Sequence, residues 1–374
     1  MIQKEYLGAG MITQCKKLLK NLTGKNILLV NGKNSYNKSK AKVFFDSILP
    51  NYNVTIFNKF NSYPKIKDVI SGVDLFKRNK INAVIAVGGG RVIDMAKLIN
   101  FYSMNEMNRM SPVRISRKIK KTKPLIAIPT TAGSGSQATH FAVVYKNNTK
   151  YSLAHKYILP DVAIVDSDLT RSLPKKQIAI SGMDALAHAV ESYWSINSTK
   201  ESKQYARKAI RLILKNLVMA ANKETISSQE AMARAAHLSG KAINITKTTA
   251  AHAVSYSLTI MYGVAHGYAV ALTLSSFFLI NDDPSMDTLN EKRGKKYLIK
   301  TMSEIRELFG CDSSQDFVKK WQELMRILGL KTDLVKLGIS RKSDIERIIK
   351  NVNIERLNNN PVKITKRLLR RIFQ

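Results

Sequence analysis

The residues best suited to chemistry fall in two stretches of the chain. In "GMDALAHAVE", Asp184 and His188 stand at i and i+4, on one face of a helix. His252 and His266 lie in an apolar run, residues 248–281, that holds no Asp, Glu, Lys or Arg. One carboxylate and three imidazoles make a four-ligand set for a divalent transition metal; iron and zinc both suit it, whereas magnesium would want more oxygens. A lone buried histidine is more often a satisfied core residue, but the Asp-x-x-x-His pair weighs toward ligation. Lys247 stands at the head of the uncharged run with Thr246, Thr248 and Thr249 around it. It reads either as an anion-binding cation near the third ligand or as a lysine reaching to the surface from a helix end.

A second chemistry is written in two small-residue loops. "VIAVGGGRVIDMAK" runs from an apolar strand through Gly88, Gly89 and Gly90 into a helix, and "PTTAGSGSQAT" offers Thr130, Thr131, Ser134 and Ser136 after another strand. Glycines let backbone approach a ligand, and a helix N-terminus offers free N–H groups to phosphate. Neither loop is the G-x-G-x-x-G fingerprint, and a tight strand–helix turn explains either one alone. Two of them at the carboxyl ends of strands define a dinucleotide crevice.

Those loops need a scaffold, and the first half supplies one. "NILLVNG", "VTIFNKF", "INAVIAVGGG", "PLIAIPT", "FAVVYKN", "KYSLAH" and "VAIVD" read as strands, interleaved with helical periodicity in "IKDVISGVDLFKRN" and "VIDMAKLINFY". This alternation predicts a parallel, helix-covered sheet, a Rossmann-like α/β domain. After Pro174 the texture turns helix-periodic. The expected division is residues 1–175, dinucleotide-binding, and 176–374, all-α and metal-binding.

The chain has 374 residues and a formal net charge of +34. Residues 1–150 carry 26 Lys and Arg against 6 Asp and Glu, with seven basic residues in 109–123. That cluster reads as a solvated loop rather than a nucleic-acid interface, because no nucleic-acid motif or aromatic interleaving accompanies it. The two cysteines give no disulfide framework, and the N-terminus lacks a signal-peptide pattern, so a cytoplasmic protein is expected. The histidines, glycines and hydroxyls of 248–281 argue for a buried helix pair rather than a membrane span.

"GGGRVIDMAK", "PTTAGSGSQAT", "LPDVAIVD", "GMDALAHAVES" and "HAVSYSLTIMYGVAHG" occur together in the order and spacing of the iron-containing (group III) alcohol dehydrogenases, which the chain resembles over nearly its whole length. The resemblance implies a dehydroquinate synthase-like architecture: an N-terminal dinucleotide-binding α/β domain and a helical metal-binding domain, with the active site in the cleft between them. It implies a homodimer, and Asp184, His188, His252 and His266 as ligands of Fe²⁺ or Zn²⁺. Gly32, Lys33, Ser35, Gly88, Gly89, Gly90, Asp94, Thr130, Thr131, Ser134 and Ser136 are the expected cofactor contacts. "ATHFAVVYKNNTKYSLAHKYILPD", "ESYWSINSTKES" and "GKAINITKTTAAHAVSY" resemble the phosphonoacetaldehyde reductase branch. Departures are Arg91 for the usual Ser after the glycines, Gln137 for a Glu, and Tyr256 where many relatives have a second histidine.

The implied reaction is hydride transfer from nicotinamide to an aldehyde carbon, with a metal polarising the carbonyl oxygen and a proton relayed through water or Tyr256. No acid follows the first strand to repel a 2′-phosphate and Lys33 would attract one, so NADPH is expected ahead of NADH. Lys247, with His140, His155 and Lys150 as lesser candidates, is the expected anchor for a small anionic, phosphonate-bearing aldehyde; no nucleic acid or membrane partner is expected. Two alternatives stay open: a general alcohol dehydrogenase for small uncharged aldehydes, and a basic nucleic-acid-binding protein on an inactive scaffold.

Overall fold

The computed structural model describes residues 2–373 except 61–62, 109–110, 114–117, 148, 224, 340 and 353. Three of the seven basic residues of the 109–123 cluster, Arg109, Arg114 and Arg117, therefore lie outside the described residues. The chain forms two compact units, Met1–Leu173 and Pro174–Gln374.

The first unit holds strands β1 (Lys4–Leu7), β2 (Asn26–Asn31), β3 (Asn53–Phe57), β4 (Ala83–Gly88), β5 (Leu125–Pro129), β6 (Phe141–Lys146), β7 (Thr149–Ala154) and β8 (Val162–Val165). Its helices are α1 (Gln14–Lys20), α2 (Lys33–Lys38), α3 (Ala41–Ile48), α4 (Ile66–Arg78) and α5 (Gly90–Met104). Six strands form one parallel sheet in the order β1-β8-β5-β4-β2-β3. β4 is buried at every position and β2 at all but its first residue, as strands covered by helices on both faces must be. Two apolar clusters fill those faces, one around Phe101, Val84 and Leu98, the other around Phe45, Ile85 and Ile164. From β2 the chain adds β3 on one side and β4 on the other, so the strand order reverses between β2 and β4. Ligands of open α/β sheets bind at such a point, beyond the strands' carboxyl ends.

Two strand expectations change. "FAVVYKN" and "KYSLAH" are strands, but β6 and β7 pair antiparallel as a separate ribbon. Their short connection, with Asn147 at φ 48°, allows a hairpin and is far too short for a parallel crossover. "KEYL", too short to show periodicity, is the edge strand β1 beside β8.

The second unit is helical: α6 (Lys175–Trp194), α7 (Lys200–Asn222), α8 (Ile226–Thr246), α9 (Ala250–Tyr262), α10 (His266–Asp282), α11 (Lys295–Phe309), α12 (Ser314–Ile327), α13 (Lys342–Lys350), α14 (Ile354–Leu357) and α15 (Lys366–Ile372). α6 is its axis: residues 178–194 are all buried, and α7, α8, α10 and α11 pack around it. The uncharged run becomes α9 and α10, separated by Gly263 at φ 66°, a left-handed cap that glycine adopts freely. Among the described residues no helix is long and apolar enough to cross a membrane.

Candidate active site

In the first unit, three loops leave the carboxyl edge of the sheet side by side. The Gly32 amide donates to Val87 O at 3.3 Å, and the Thr130 amide to Gly88 O at 3.1 Å, stitching the loops after β2, β4 and β5 together. Gly89 caps α5, whose first turn offers its N–H groups here. A Cβ on Gly90 would lie 2.5 Å from Ser134 Oγ, so only glycine lets the two loops approach this closely. Asn31 Oδ1 and Thr130 Oγ1 are buried at this edge without a hydrogen-bond partner among the described residues. Buried polar atoms are rarely left so, and a bound polar ligand would satisfy them. Lys33 is exposed in the first turn of α2, and Ser35 Oγ donates to Gly32 O at 3.1 Å.

Not every expected cofactor contact faces outward. Asp94, half-buried, accepts from Ser136 Oγ at 2.5 Å and from the Val143 amide at 3.1 Å, so both Asp94 and Ser136 brace the loop. Sequence reading missed Lys97, fully buried one turn further on. Its Nζ reaches Ser136 O (2.6 Å), Ser136 Oγ (3.2 Å), Thr139 O (2.8 Å), Thr139 Oγ1 (3.0 Å) and Phe141 O (2.9 Å). Burial pulls this ammonium down to about 8 against the attraction of Asp94. The Arg91 guanidinium lies over the Tyr63 ring at 5.4 Å. His155 caps the turn that follows β7, Nδ1 accepting from the Tyr157 amide at 3.2 Å, and His140 packs edge-on to Phe141.

In the second unit, donor atoms of Asp184, His252 and His266 lie within 4.8 Å of one another. Asp184 comes from the middle of α6, His252 from the first turn of α9, and His266 begins α10. Gly267 brings the last of these close: a Cβ there would stand 2.5 Å from the Ile180 carbonyl oxygen and 2.6 Å from Asp184 Cβ. His188 is buried beside them, its ring stacked on that of His252 with centroids 4.4 Å apart, and is not one of the three convergent donors.

The chemistry of this cluster fits a metal ion. His252 Nε2 and Asp184 Oδ1 face each other at 3.6 Å, and both are buried without a hydrogen bond among the described residues. Two ligands held about 2.1 Å from one tetrahedral ion stand roughly 3.4 Å apart, so an ion between them satisfies both. Burial works to raise the Asp184 carboxyl, but the three imidazoles, His188 foremost, hold it well below the usual carboxylate range.

Behind His252 stands Glu191, which the sequence reading did not single out. It is fully buried and accepts from the Thr249 amide (3.2 Å), Thr249 Oγ1 (2.9 Å), the Ala251 amide (2.8 Å) and the His252 amide (3.2 Å), as well as pairing with His252 Nδ1. It thereby caps the N-terminus of α9 from another helix, where a negative charge is favoured. Burial would raise its pKa; His252 and the Thr249 and backbone hydrogen bonds outweigh this and lower it. Orienting a ligand histidine through its second nitrogen is a common supporting arrangement at metal sites. A signal was present: residues 184, 188 and 191 share a helix face at i, i+4 and i+7.

Tyr256 is buried with its ring stacked on His266, centroids 5.6 Å apart and planes 15° apart. Burial raises its phenol above the usual range. Lys247 takes the surface alternative: its amine pairs with Glu355 at 3.3 Å, the two side chains 40% and 58% exposed.

The α/β unit with its glycine- and hydroxyl-rich edge and the helical unit with its His/Asp cluster each match a model of the same family. The chain belongs to the iron-containing alcohol dehydrogenase family: the model of that name matches residues 3–167, and that of the Fe-containing alcohol dehydrogenase family, C-terminal, matches 178–374. It is 36% identical over 227 residues to long-chain-alcohol dehydrogenase 1 of Geobacillus thermodenitrificans, covering 60% of this chain and 58% of that enzyme. It is 30% identical over 241 residues to phosphonoacetaldehyde reductase of Streptomyces viridochromogenes, covering 62% and 61%. Each of these matches thus spans less than two thirds of the relative's length. The crystal structure of sulfoacetaldehyde reductase from Bifidobacterium kashiwanohense in complex with NAD⁺ superposes with a TM-score of 0.85 at 26% identity, covering 99% of this chain and 96% of that one.

Proposed function

We propose that this protein is a metal-dependent NAD(P)H oxidoreductase that reduces a small anionic aldehyde to its primary alcohol, phosphonoacetaldehyde to 2-hydroxyethylphosphonate being the foremost candidate. The convergence of Asp184, His252 and His266, with Glu191 behind His252, carries the reading. When bound, a divalent metal supplies Lewis acidity and a nicotinamide supplies hydride. Asp184, His252 and His266 would hold Fe²⁺ or Zn²⁺, with His188 the fourth ligand. The glycine loop after β4 and the hydroxyls of Thr130, Thr131 and Ser134 would hold the pyrophosphate. Lys33 in the first turn of α2 favours NADPH over NADH through the extra phosphate.

The chain's own part is orientation and proton supply. Glu191 fixes the His252 ring. Tyr256 keeps its phenolic proton because burial raises its pKa, and it stands against His266 where a developing alkoxide needs a proton. The anionic-substrate reading draws support from two relatives, whose names denote aldehydes bearing a phosphonate and a sulfonate.

Similarity to a long-chain-alcohol dehydrogenase favours a second reading, reduction of uncharged aldehydes. The deciding experiment loads the protein anaerobically with Fe²⁺ or Zn²⁺ and follows NADPH oxidation with phosphonoacetaldehyde beside butanal. Strong preference for the phosphonate supports the first reading, and equal rates support the second.

A further inference from the structure

We propose that Asn359 is a positioning residue for the metal centre. It clasps the strained turn between α8 and α9 and so holds His252 ready for a metal. The inference rests on the reading of Asp184, His252 and His266 as metal donors. It gives a role to a residue 111 positions away in sequence from the turn it holds.

The turn is Thr246, Lys247, Thr248 and Thr249. In the sequence its hydroxyls and lysine suggest an anion pocket; in the structure the hydroxyls of Thr246 and Thr249 fasten the turn to α6. Thr246 Oγ1 donates to Ser192 Oγ at 3.0 Å. Thr249 Oγ1 accepts from Trp194 Nε1 at 2.8 Å and donates to Glu191 at 2.9 Å. Lys247 holds φ 59°, ψ 178°, and such strain persists only where the surroundings over-determine the backbone. Two anchors do so here. Thr246 O, on the peptide entering Lys247, accepts from Ser195 Oγ at 3.2 Å and from Asn197 Nδ2 at 3.3 Å. Thr248 O, on the peptide entering Thr249, accepts from Asn359 Nδ2 at 3.0 Å. Lys247 therefore lies between two held peptides. Thr249 is the N-cap of α9, and its amide, with those of Ala251 and His252, donates to Glu191. Releasing Thr248 would let Lys247 relax toward an allowed region, and the start of α9, with His252, would turn with it.

Asn359 is itself held. Its Oδ1 accepts from Asn197 Nδ2 at 3.1 Å, and its carbonyl from the Ile196 amide at 3.1 Å. The next residue, Asn360, is fully buried and exchanges amide hydrogen bonds at 2.8 and 3.3 Å with Asn281 on α10. Asn290 Nδ2 donates to Asn358 O at 3.0 Å and to Asn360 O at 2.8 Å. The clasp thus joins the segment after α6, the turn before α9 and the body of α10, the three helices that carry Asp184, His252 and His266. Donors fixed in this way need little ordering when a ligand binds.

The test is a double-mutant cycle on the full-length protein. Fe²⁺ and Zn²⁺ affinities are measured by competition with a chelator in the native protein, Asn359→Ala, Lys247→Gly and the double variant. Asn359→Ala is expected to weaken metal binding roughly 10-fold. In the Lys247→Gly background the turn takes its φ without strain, so the same substitution is expected to weaken binding roughly threefold or less. A residue that only adds stability gives equal losses in both backgrounds. Amide hydrogen exchange in the metal-free protein is a second readout: the Ala251 and His252 amides should exchange faster in Asn359→Ala, with those of α7 unchanged. A native protein that binds neither metal overturns the metal reading and this proposal with it. If the native protein binds metal, this proposal alone is overturned by any of three results in Asn359→Ala: unchanged affinity, unchanged exchange at Ala251 and His252, or the same loss in both backgrounds. If Asn359→Ala does not fold, Asn197→Ala, which removes the amide that donates to both Thr246 O and Asn359 Oδ1, decides by the same comparison.

Discussion

Glu191 stands behind His252 with its carboxylate on the imidazole Nδ1 and on the amides that begin α9, which leaves Nε2 facing Asp184. A single buried acid thus sets both the start of a helix and the direction of a donor atom. Glu191→Gln keeps the shape and removes the charge. The variant is expected to fold and to bind Fe²⁺ or Zn²⁺ about 10- to 100-fold more weakly, measured by competition with a chelator. Unchanged affinity in a folded variant would show that Glu191 acts on the helix alone.

Metal uptake should depend on pH through the same pair. Burial lowers the His252 pKa, but Glu191 and Asp184 outweigh it and raise it to about 9. In the metal-free protein this contribution to stability is complete below the unfolded value, about 6.5, and is lost as pH rises through the folded one. Ligation requires the neutral ring, so affinity should climb about tenfold per pH unit until that folded value is passed. A flat affinity profile from neutral to alkaline pH would contradict the assignment.

Gly267 tests the fit of α10 against α6. A methyl group there meets the Ile180 carbonyl oxygen at 2.5 Å, and main chain does not yield as a flexible side chain does. Gly267→Ala should destabilise the fold by about 1–3 kcal/mol and weaken metal binding, because the two helices must separate Asp184 from His266. Denaturant titration and metal content read the two effects independently.

Lys247 occupies φ 59°, ψ 178°, a region that only glycine visits freely. Glycine and alanine variants both lose the exposed pair with Glu355, worth about 0–1 kcal/mol. They differ in backbone strain, so Lys247→Gly should be more stable than Lys247→Ala by about 1–2 kcal/mol. Equal urea midpoints for the two would remove the strain argument.

Lys33 tests cofactor choice. Lys33→Glu places a carboxylate at the first turn of α2, where a 2′-phosphate would bind. NADPH should bind roughly 10-fold or more weakly than in the native protein, with a smaller change for NADH. Fluorescence titration of both reduced cofactors measures it, and an unaltered NADPH affinity would place the phosphate elsewhere.

Much of this was legible in the residues themselves. Apolar runs ending in glycine announced β2 and β4, an apolar run ending in a small-residue loop announced β5, and the spacing of Asp184 and His188 announced a shared helix face. Pattern reading failed where the partner is distant or the chemistry looks ordinary. Lys97 sits in a plain helical stretch, and only the fold carries the 136–141 loop over it. The β6–β7 ribbon has the composition of any buried strand pair, and only the short turn at Asn147 reveals its direction. Lys247 looked like a ligand-binding cation because the helix that carries His252 follows it in sequence, yet a residue at a helix end points where its backbone sends it.

The buried ammonium of Lys97 has a consequence for turnover. Its bonds to five oxygens on residues 136–141 hold the loop after β5 in place without the help of a ligand. The entropy of ordering that loop is lost once, during folding, and not again at each encounter with a nucleotide. Such a cradle is ready-made, so the residence time of a nucleotide bound there would be governed by the contacts it breaks on leaving rather than by a loop that must first open.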